Sequence, residues 1–157
     1  MNEIYSDRFL KSLLERAKTF AIVGMSNKEI RASYFVGRYL IHRGYGIVPV
    51  NPAYVGQDFM GAPYVAGLED VPEHVDFLDI FRRPDDVLPI VDQAIKLLPN
   101  LQTVWMQIGS GNEEAAALAR AHGLDVVMNR CPKIEHQRLF GELRKGGFNT
   151  GVISSKL

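Results

Sequence analysis

The chain has 157 residues, of which 46% are hydrophobic, so we expect one soluble domain spanning residues 1–157. Basic and acidic residues balance at 18 each, which leaves no overall positive field to attract nucleic acid, and any anion site must be local. The single cysteine, Cys131, excludes an internal disulfide framework and suits a reducing cytosol.

The first half of the chain predicts a helix, then two buried strands with a second helix between them. Ser6 can cap the first helix, whose apolar residues recur at helical spacing as far as Ala17. A continuous apolar run then ends in a glycine, as a buried parallel strand does, and a second run ends at an Asn-Pro turn. The predicted bounds are 19–24 for the first strand, about 33–43 for the helix and 46–50 for the second strand.

The second half predicts three more strands, each followed by a helix. Residues 53–73 contain three glycines and two prolines, so we expect only short elements there. The three strands are predicted at 75–80, 103–107 and 125–128. Their helices are predicted to begin at Pro84, after the capping residue Asn112, and at about Lys133, with the last one running to about Leu143.

This alternation predicts an α/β fold, a Rossmann-like three-layer sandwich with a parallel sheet of about five strands. Numbering the predicted strands along the chain, we expect the order 3-2-1-4-5. Ligands of such sheets bind beyond the carboxyl ends of the strands, so we expect the site near the switch between strands 1 and 4.

The loop after the first predicted strand, GMSNKEIRAS, is the first candidate site. Gly24 allows a close approach of the backbone to a ligand, and Met25, Ser26 and Asn27 follow it. Ser26 and Asn27 offer hydrogen-bond donors, while Lys28 and Arg31 offer positive charge beside a helix N-terminus. This chemistry suits a phosphate or diphosphate. The alternative is a plain turn in which Ser or Asn caps the helix.

The end of the second predicted strand distinguishes two nucleotide classes. NAD-binding folds usually carry an acid there to hold the ribose diol, whereas this chain has Asn51 followed by Pro52. The pattern disfavours NAD and permits a phosphorylated ribose, but Asn-Pro is equally consistent with a turn that binds nothing.

The loops after the third and fourth predicted strands add further candidates. FRRPDD places Arg82 and Arg83 beside Pro84, and arginine pairs with phosphate or stacks on a purine. The alternative for one of the two is an ion pair with Asp85 or Asp86. We expect Trp105 in the core, while Gln107 is polar and faces the expected crevice.

Catalytic and metal-binding patterns are poor in this sequence. Cys131 and His136 lie five apart, but no further cysteine or spaced histidine completes a zinc site. A nucleophilic Cys–His pair is the alternative that this spacing leaves open.

These stretches resemble the small stand-alone CoA-binding proteins, whose domain is related to the CoA-binding domain of the succinyl-CoA synthetase alpha subunit. The resemblance lies in AIVGMSNKEIRASYFVGRYLIHRGYGIVPVNP, VDFLDIFRRPDDV, VWMQIGSGNEEAAALARAHGLDVVMNRCP and GFNTGVISS, over about residues 19–155. It implies a Rossmann-like fold that binds coenzyme A.

The resemblance also implies a role for each loop. The Gly24–Ser26 loop would hold the diphosphate of CoA, with Arg31 assisting, and Asn51 and Pro52 would border the adenosine. The residues that would flank the nucleotide are Phe81, Arg82, Arg83 and Pro84, and those that would line the path toward pantetheine are Gln107, Ile108 and Gly109. The 3′-phosphate on the ribose of CoA fits the missing acid at position 51.

The same resemblance implies a binding module for CoA or acyl-CoA, a carrier, sensor or partner subunit rather than an enzyme. In the synthetase, the phosphorylated histidine lies in a second domain and another subunit handles ATP, and this chain has room for neither. Two alternatives stay open: an NAD-linked redox sensor or small oxidoreductase, and a thiol-dependent enzyme that uses Cys131 with CoA. A protein partner and the oligomeric state also stay open.

For location, we expect a cytoplasmic protein without a membrane partner. The N-terminal residues are too charged for a signal peptide, and no apolar run approaches the roughly 20 residues that cross a bilayer. The last three residues, Ser155, Lys156 and Leu157, match a peroxisomal address, although a three-residue match carries little weight.

Overall fold

Strands and helices alternate along the chain in the computed structural model, which describes residues 4–141. The helices are α1 (Asp7–Arg16), α2 (Ala32–His42), α3 (Pro84–Leu97), α4 (Glu113–Ala121) and α5 (Pro132–Leu139). The strands are β1 (Thr19–Val23), β2 (Gly46–Val50), β3 (Asp58–Phe59), β4 (Ala62–Pro63), β5 (Phe77–Ile80), β6 (Thr103–Met106) and β7 (Asp125–Met128). The five strands predicted from apolar runs are all present.

Local sequence signals set the helix ends where they were expected. Ser6 caps α1, its hydroxyl oxygen accepting a hydrogen bond from the backbone N–H of Phe9 at 3.1 Å. Asn112 caps α4 in the same way through the N–H of Ala115 at 2.9 Å. Pro84 is the first residue of α3, where its missing N–H costs nothing.

The order of strands differs from the expected one. The sheet runs β2-β1-β5-β6-β7 with every pair parallel. The third predicted strand, β5, therefore pairs with β1 and not with β2, so the prediction 3-2-1-4-5 is wrong and the observed order is 2-1-3-4-5.

Pro49 gives the physical reason why β2 lies at the edge of the sheet. Proline has no backbone N–H and is confined to edge strands or to positions outside the ladder. The Pro49 carbonyl accepts a hydrogen bond from the N–H of Val65 at 3.0 Å, and the N–H of Asn51 donates to the Val65 carbonyl at 2.9 Å. A short chain segment, and not a full strand, thus covers this edge.

Because β5 pairs with β1, the point at which the strand order reverses also differs from the predicted one. The chain leaves β1 toward β2 on one side and returns to β5 on the other, so the crevice opens between β1 and β5. The expected position between strands 1 and 4 is therefore wrong by one strand. Hydrogen bonds fix the crevice floor: the Phe81 N–H donates to the Val23 carbonyl at 2.8 Å, and the Gly24 N–H donates to the Val50 carbonyl at 2.9 Å.

Helices cover both faces of the sheet, which confirms the three-layer sandwich. On one face α1, α2 and α5 pack on an aromatic layer in which Phe20 stacks on Phe77 at 4.0 Å and Phe77 on Trp105 at 5.7 Å. Trp105 is fully buried, as expected, and its indole N–H donates to the Arg130 carbonyl at 2.8 Å. On the other face α3 and α4 pack on an aliphatic layer.

Three expectations concern the part of the chain that the structure does not describe. The terminal Ser155, Lys156 and Leu157, and the GFNTGVISS stretch of the resemblance, lie outside the described residues. The expected end of the last helix at Leu143 also falls outside them, and α5 is described as far as Leu139. Between residues 4 and 141, no helix has the length and apolar character that a membrane span requires.

Candidate functional site

Two neighbouring clefts open at the carboxyl edge of the sheet. The first cleft has a volume of about 400 Å³ and is lined by Gly24, Ser26, Lys28, Arg31, Ala32, Ser33, Tyr54 and Phe81. The second cleft has a volume of about 470 Å³ and is lined by Phe81, Arg82, Arg83, Pro84, Asp86, Ile108, Gly109 and Ser110. Phe81 lines both, so the two clefts adjoin at the switch between β1 and β5.

Gly24 lets the two crevice loops approach each other. It has φ +81°, and a Cβ added there would lie 2.2 Å from the Phe81 carbonyl oxygen and 2.9 Å from Cδ of Arg82. A backbone oxygen cannot move aside as a side chain can. The fold of the crevice therefore requires glycine at this position.

The loop after Gly24 is held by serine hydroxyls. The Ser26 N–H donates to Oγ of Ser33 at 2.9 Å, and Oγ of Ser26 accepts from the N–H of Lys28 at 3.0 Å. Oγ of Ser26 also lies 3.3 Å from the hydroxyl of Tyr54, with either group as the donor. These contacts within the protein hold the loop in place around the first cleft.

The N-terminus of α2 faces the first cleft with its positive end. Arg31 occupies the N-cap position, and its side chain makes no capping hydrogen bond, so neither Ser26 nor Asn27 caps the helix. The first turn of a helix has N–H groups without intrahelical partners, and the helix dipole adds partial positive charge. Lys28 and Arg31 line the same cleft, and neither forms an ion pair with the residues described.

Asn51 braces the loop from the end of β2. Its Nδ2 donates to the Met25 carbonyl at 3.1 Å, and its Oδ1 accepts from the N–H of Ala53 at 3.0 Å. Pro52 follows as the first residue of a short 3-10 turn. Both polar ends of the Asn51 side chain are thus engaged with the backbone.

Met25 and Asn27, the other two site residues predicted in this loop, do not line the first cleft. Met25 is fully buried, pointing at α2, where Gly37 leaves room for its methyl group. Asn27 donates from Nδ2 to Oε1 of Gln57 at 2.9 Å.

The second cleft carries the two arginines of the FRRPDD loop. Nη2 of Arg82 lies 3.2 Å from Oδ2 of Asp86, and Nε of Arg83 lies 3.9 Å from the same oxygen. The side chain of Arg83 is 88% exposed, against 43% for that of Arg82. Arg82 is therefore the arginine more engaged with the acid, and Arg83 is the one more available to a ligand.

Ile108 and Gly109 line the second cleft from the loop after β6. Ile108 is 62% exposed, which is unusual for so large an apolar side chain, and Gly109 has φ +88°. Gln107 precedes them but lines neither cleft, because it is 5% exposed and points into the protein.

Three buried side chains, Asp79, Gln107 and Cys131, lie close together. Burial raises the pKa of the Asp79 carboxyl well above its ordinary value. Burial also raises the pKa of the Cys131 thiol, although a hydrogen bond with the Gln107 side chain acts to lower it. His136 is separately engaged, with Nδ1 2.8 Å from the hydroxyl of Tyr39.

Sequence reasoning assigned no individual role to four lining residues: Ala32, Ser33, Tyr54 and Ser110. Ser33 and Ala32 begin α2, so their position at a helix N-terminus beside a candidate loop was a usable signal. Tyr54 follows the Asn-Pro turn, and no local pattern indicates that its hydroxyl reaches Ser26.

Proteins from several organisms are similar to this chain over most of its length. The uncharacterized protein YneT of Bacillus subtilis (strain 168) is 30% identical over 127 residues, which cover 81% of this chain and 91% of YneT. A solved structure from Thermus thermophilus is 36% identical with a TM-score of 0.80, covering 87% of this chain and 100% of that chain. A hypothetical protein from Pyrococcus horikoshii OT3 is 35% identical with a TM-score of 0.81, covering 90% and 100%.

A larger enzyme contains a similar domain. The dinucleotide forming acetyl-coenzyme A synthetase 1 of Ca. Korarchaeum cryptofilum is 26% identical, with a TM-score of 0.61 over 74% of this chain. The match spans 26% of that synthetase chain. A family model described as a CoA binding domain matches residues 18–137, which is most of the present chain. The chain therefore belongs to the family of CoA-binding domains.

Proposed function

We propose that this protein binds coenzyme A or an acyl-CoA across the two clefts, as a carrier, sensor or partner module without ligase machinery. The observation that carries the proposal is the positive N-terminus of α2, which faces a cleft lined by Gly24, Lys28 and Arg31. Helix N-termini beside a glycine turn bind phosphate groups through backbone N–H groups and the helix dipole.

The diphosphate of CoA is assigned to the first cleft. Gly24 adds no side chain there, and Ser26 supplies a hydroxyl that can turn toward a phosphate oxygen. Lys28 and Arg31 supply two positive charges without an acidic partner among residues 4–141. Two cations and a helix end suit the charge of a diphosphate.

The phosphorylated adenosine is assigned to the region between Asn51 and the second cleft. Asn51 and Pro52 bring no carboxylate to the end of β2, so nothing there repels a phosphate on the ribose. Phe81 and Pro84 offer apolar surface for the purine, and Arg83 offers a charge that Asp86 holds only at 3.9 Å. Pantetheine would then pass along Ile108 and Gly109, which line the second cleft, whereas the buried Gln107 lies behind them.

Two alternatives receive less support. An NAD-linked redox sensor or small oxidoreductase would need an acid where Asn51 stands, and the Asn51 side chain is already hydrogen-bonded to Met25 and Ala53. A thiol-dependent enzyme would need a reactive thiolate, whereas Cys131 is 2% exposed and burial raises its pKa.

Calorimetric titration of the purified chain with CoA, dephospho-CoA and NAD tests the proposal. We expect CoA to bind more tightly than dephospho-CoA, which lacks the 3′-phosphate, and NAD to bind most weakly. Arg31→Ala should weaken CoA binding by about ten- to a hundredfold, because a charge-assisted hydrogen bond contributes about 1.5–3 kcal/mol. Lys96→Ala, which removes an exposed cation paired with Asp92 far from the clefts, is the matched control and should bind as wild type does.

No binding of CoA at millimolar concentration would overturn the proposed function. Equal affinity for CoA and dephospho-CoA would overturn only the assignment of the 3′-phosphate.

A further inference from the structure

Asp86 is an acid within a site that suits anions. Among residues 4–141, it is the one acid that lines either cleft. Within the same range, four cations line the two clefts: Lys28, Arg31, Arg82 and Arg83. Asp86 lies in the first turn of α3, where a carboxylate interacts favourably with the helix dipole. Asp85 lies in the same turn but lines neither cleft, so the helix alone does not explain an acid in the lining.

One oxygen of Asp86 faces both arginines of the second cleft. Its Oδ2 lies 3.2 Å from Nη2 of Arg82 and 3.9 Å from Nε of Arg83. Water reaches both contacts, because the side chain of Asp86 is 31% exposed and those of the two arginines are more exposed still. Exposed ion pairs are weak, and each shifts an equilibrium by at most about fivefold. A more strongly charged anion can therefore displace Asp86 from the arginines at little cost.

The two arginines do not depend on Asp86 for their position. A Cβ on Gly24 would lie 2.9 Å from Cδ of Arg82, so the stem of Arg82 already packs against the loop of the first cleft. Arg83 is 88% exposed and its contact with Asp86 is loose, so the acid does not fix this side chain either. Asp86 therefore neutralises positive charge in the second cleft more than it orients the groups that carry this charge.

The charge of an incoming anion decides whether it can replace Asp86. A ligand carboxylate has the same single charge as Asp86, so the exchange of one for the other gains little. A phosphate monoester carries a charge of about −1.5 to −2 at pH 7 and offers three acceptor oxygens. Arginine also binds phosphate through two parallel hydrogen bonds. The 3′-phosphate is the one phosphate monoester in CoA, so this exchange favours it over other anionic groups.

We propose that Asp86 is an internal counter-ion of Arg82 and Arg83, and that the 3′-phosphate of CoA displaces it when the ligand binds. This inference rests on the proposed function and identifies Asp86 as a residue that sets its specificity. A ligand that lacks the 3′-phosphate leaves the pairs between Asp86 and the arginines intact. Asp86 thus lowers the affinity of the second cleft for every anion and leaves a net gain to a phosphate monoester.

Calorimetric titration of wild type and Asp86→Asn with CoA and with dephospho-CoA tests the inference. The substitution keeps the size of the side chain and removes the charge that competes for the arginines. We expect Asp86→Asn to bind CoA about three- to tenfold more tightly than wild type does, because the phosphate no longer competes with a carboxylate. Its affinity for dephospho-CoA should change by less than about twofold, because solvent and salt screen the more distant diphosphate.

Two further variants separate the contact from the charge. Asp85→Asn is the matched control, since it removes one charge from the same turn of α3 at an exposed residue outside both clefts. Both affinities of this variant should stay within about twofold of wild type. In an Arg82→Ala background, Asp86→Asn should lose at least about half of its gain in CoA affinity, because residues in contact are not additive.

The outcomes separate the two proposals. If wild type binds neither CoA nor dephospho-CoA, the proposed function fails and this inference with it. If CoA binds but Asp86→Asn binds it no more tightly than Asp85→Asn does, CoA binding stands and the inference is overturned. Weaker binding of CoA to Asp86→Asn would mean that the acid positions the arginines, and an equal gain for both ligands would mean that the 3′-phosphate is not what displaces it. Either result also overturns the inference.

Discussion

At the scale of single residues, two structural features require glycine at position 24: a positive φ and a close contact with another loop. Its φ of +81° lies in the left-handed region, and its Cα faces the Phe81 carbonyl across the crevice. Gly24 also lines the first cleft, to which the proposed function assigns the diphosphate. The close approach of the two loops is what requires glycine here.

Gly24→Ala should destabilise the protein far more than Gly44→Ala. Both glycines have positive φ, at +81° and +92°, and strain of that kind costs about 1–3 kcal/mol. Only at Gly24 would the new Cβ also meet a backbone oxygen, at 2.2 Å, whereas nothing lies within 4 Å at Gly44. Urea denaturation of the two variants measures the difference. Equal losses of unfolding free energy would show that the contact with Phe81 does not matter.

At the scale of elements, the site depends on how the loop after β1 is held between β2 and α2. Asn51 reaches the Met25 carbonyl from β2, and Ser33 reaches the Ser26 N–H from α2. Tyr54 adds a hydroxyl from the 3-10 turn. The cleft is therefore preformed by two neighbouring elements, which lowers the ordering cost of binding.

Asn51→Asp tests this brace. The carboxylate keeps an acceptor for the Ala53 N–H but cannot donate to the Met25 carbonyl, so that carbonyl loses its partner. We expect the unfolding free energy at pH 7 to fall by about 1–3 kcal/mol. The negative charge should also weaken CoA binding.

The matched control is Asn27→Asp, which breaks only an exposed hydrogen bond to Gln57 and should cost little stability. Thermal denaturation compares the two variants. An Asn51→Asp protein as stable as wild type would contradict the role of Asn51 as a brace.

At the scale of the whole molecule, the position of the site follows from which strands are neighbours. β2 lies at the edge because Pro49 turns its backbone away from β1, toward Val65. Gly46 and Val50 turn theirs toward β1, with the Gly46 N–H donating to Lys18 and the Val50 carbonyl accepting from Gly24. Alternate residues of β2 therefore form hydrogen bonds toward β1 and toward the outer edge of the sheet.

Proline substitutions on β2 test this alternation. Val48, like Gly46 and Val50, directs its backbone toward β1. Val48→Pro therefore removes an N–H from the β1–β2 ladder and should lower the unfolding free energy by about 3 kcal/mol or more. Pro49→Val restores an N–H on the outer side and should change the unfolding free energy by less than about 1 kcal/mol. Chemical denaturation measures both, and similar losses in the two variants would contradict the assignment of β2 to the edge.

The sequence by itself determined the class of the fold and the edge of the sheet at which the candidate loops gather. Apolar runs set β1, β2, β5, β6 and β7, and caps such as Ser6 and Asn112 set helix ends. The carboxyl ends of parallel strands meet at one edge in any strand order. The loops that begin at Gly24, Phe81 and Gln107 therefore lie at the same edge of the sheet, although the predicted strand order was wrong.

Only the tertiary structure decided which strands are neighbours and which polar side chains remain free. The orders 3-2-1-4-5 and 2-1-3-4-5 can bury the same apolar runs, so periodicity does not separate them, and only Pro49 hinted at the edge. Asn51 and Arg82 looked available in the sequence, but Met25 and Asp86 engage them. Asp79 looked like part of a buried strand, and only the tertiary packing shows that its carboxyl has no hydrogen-bond partner among residues 4–141.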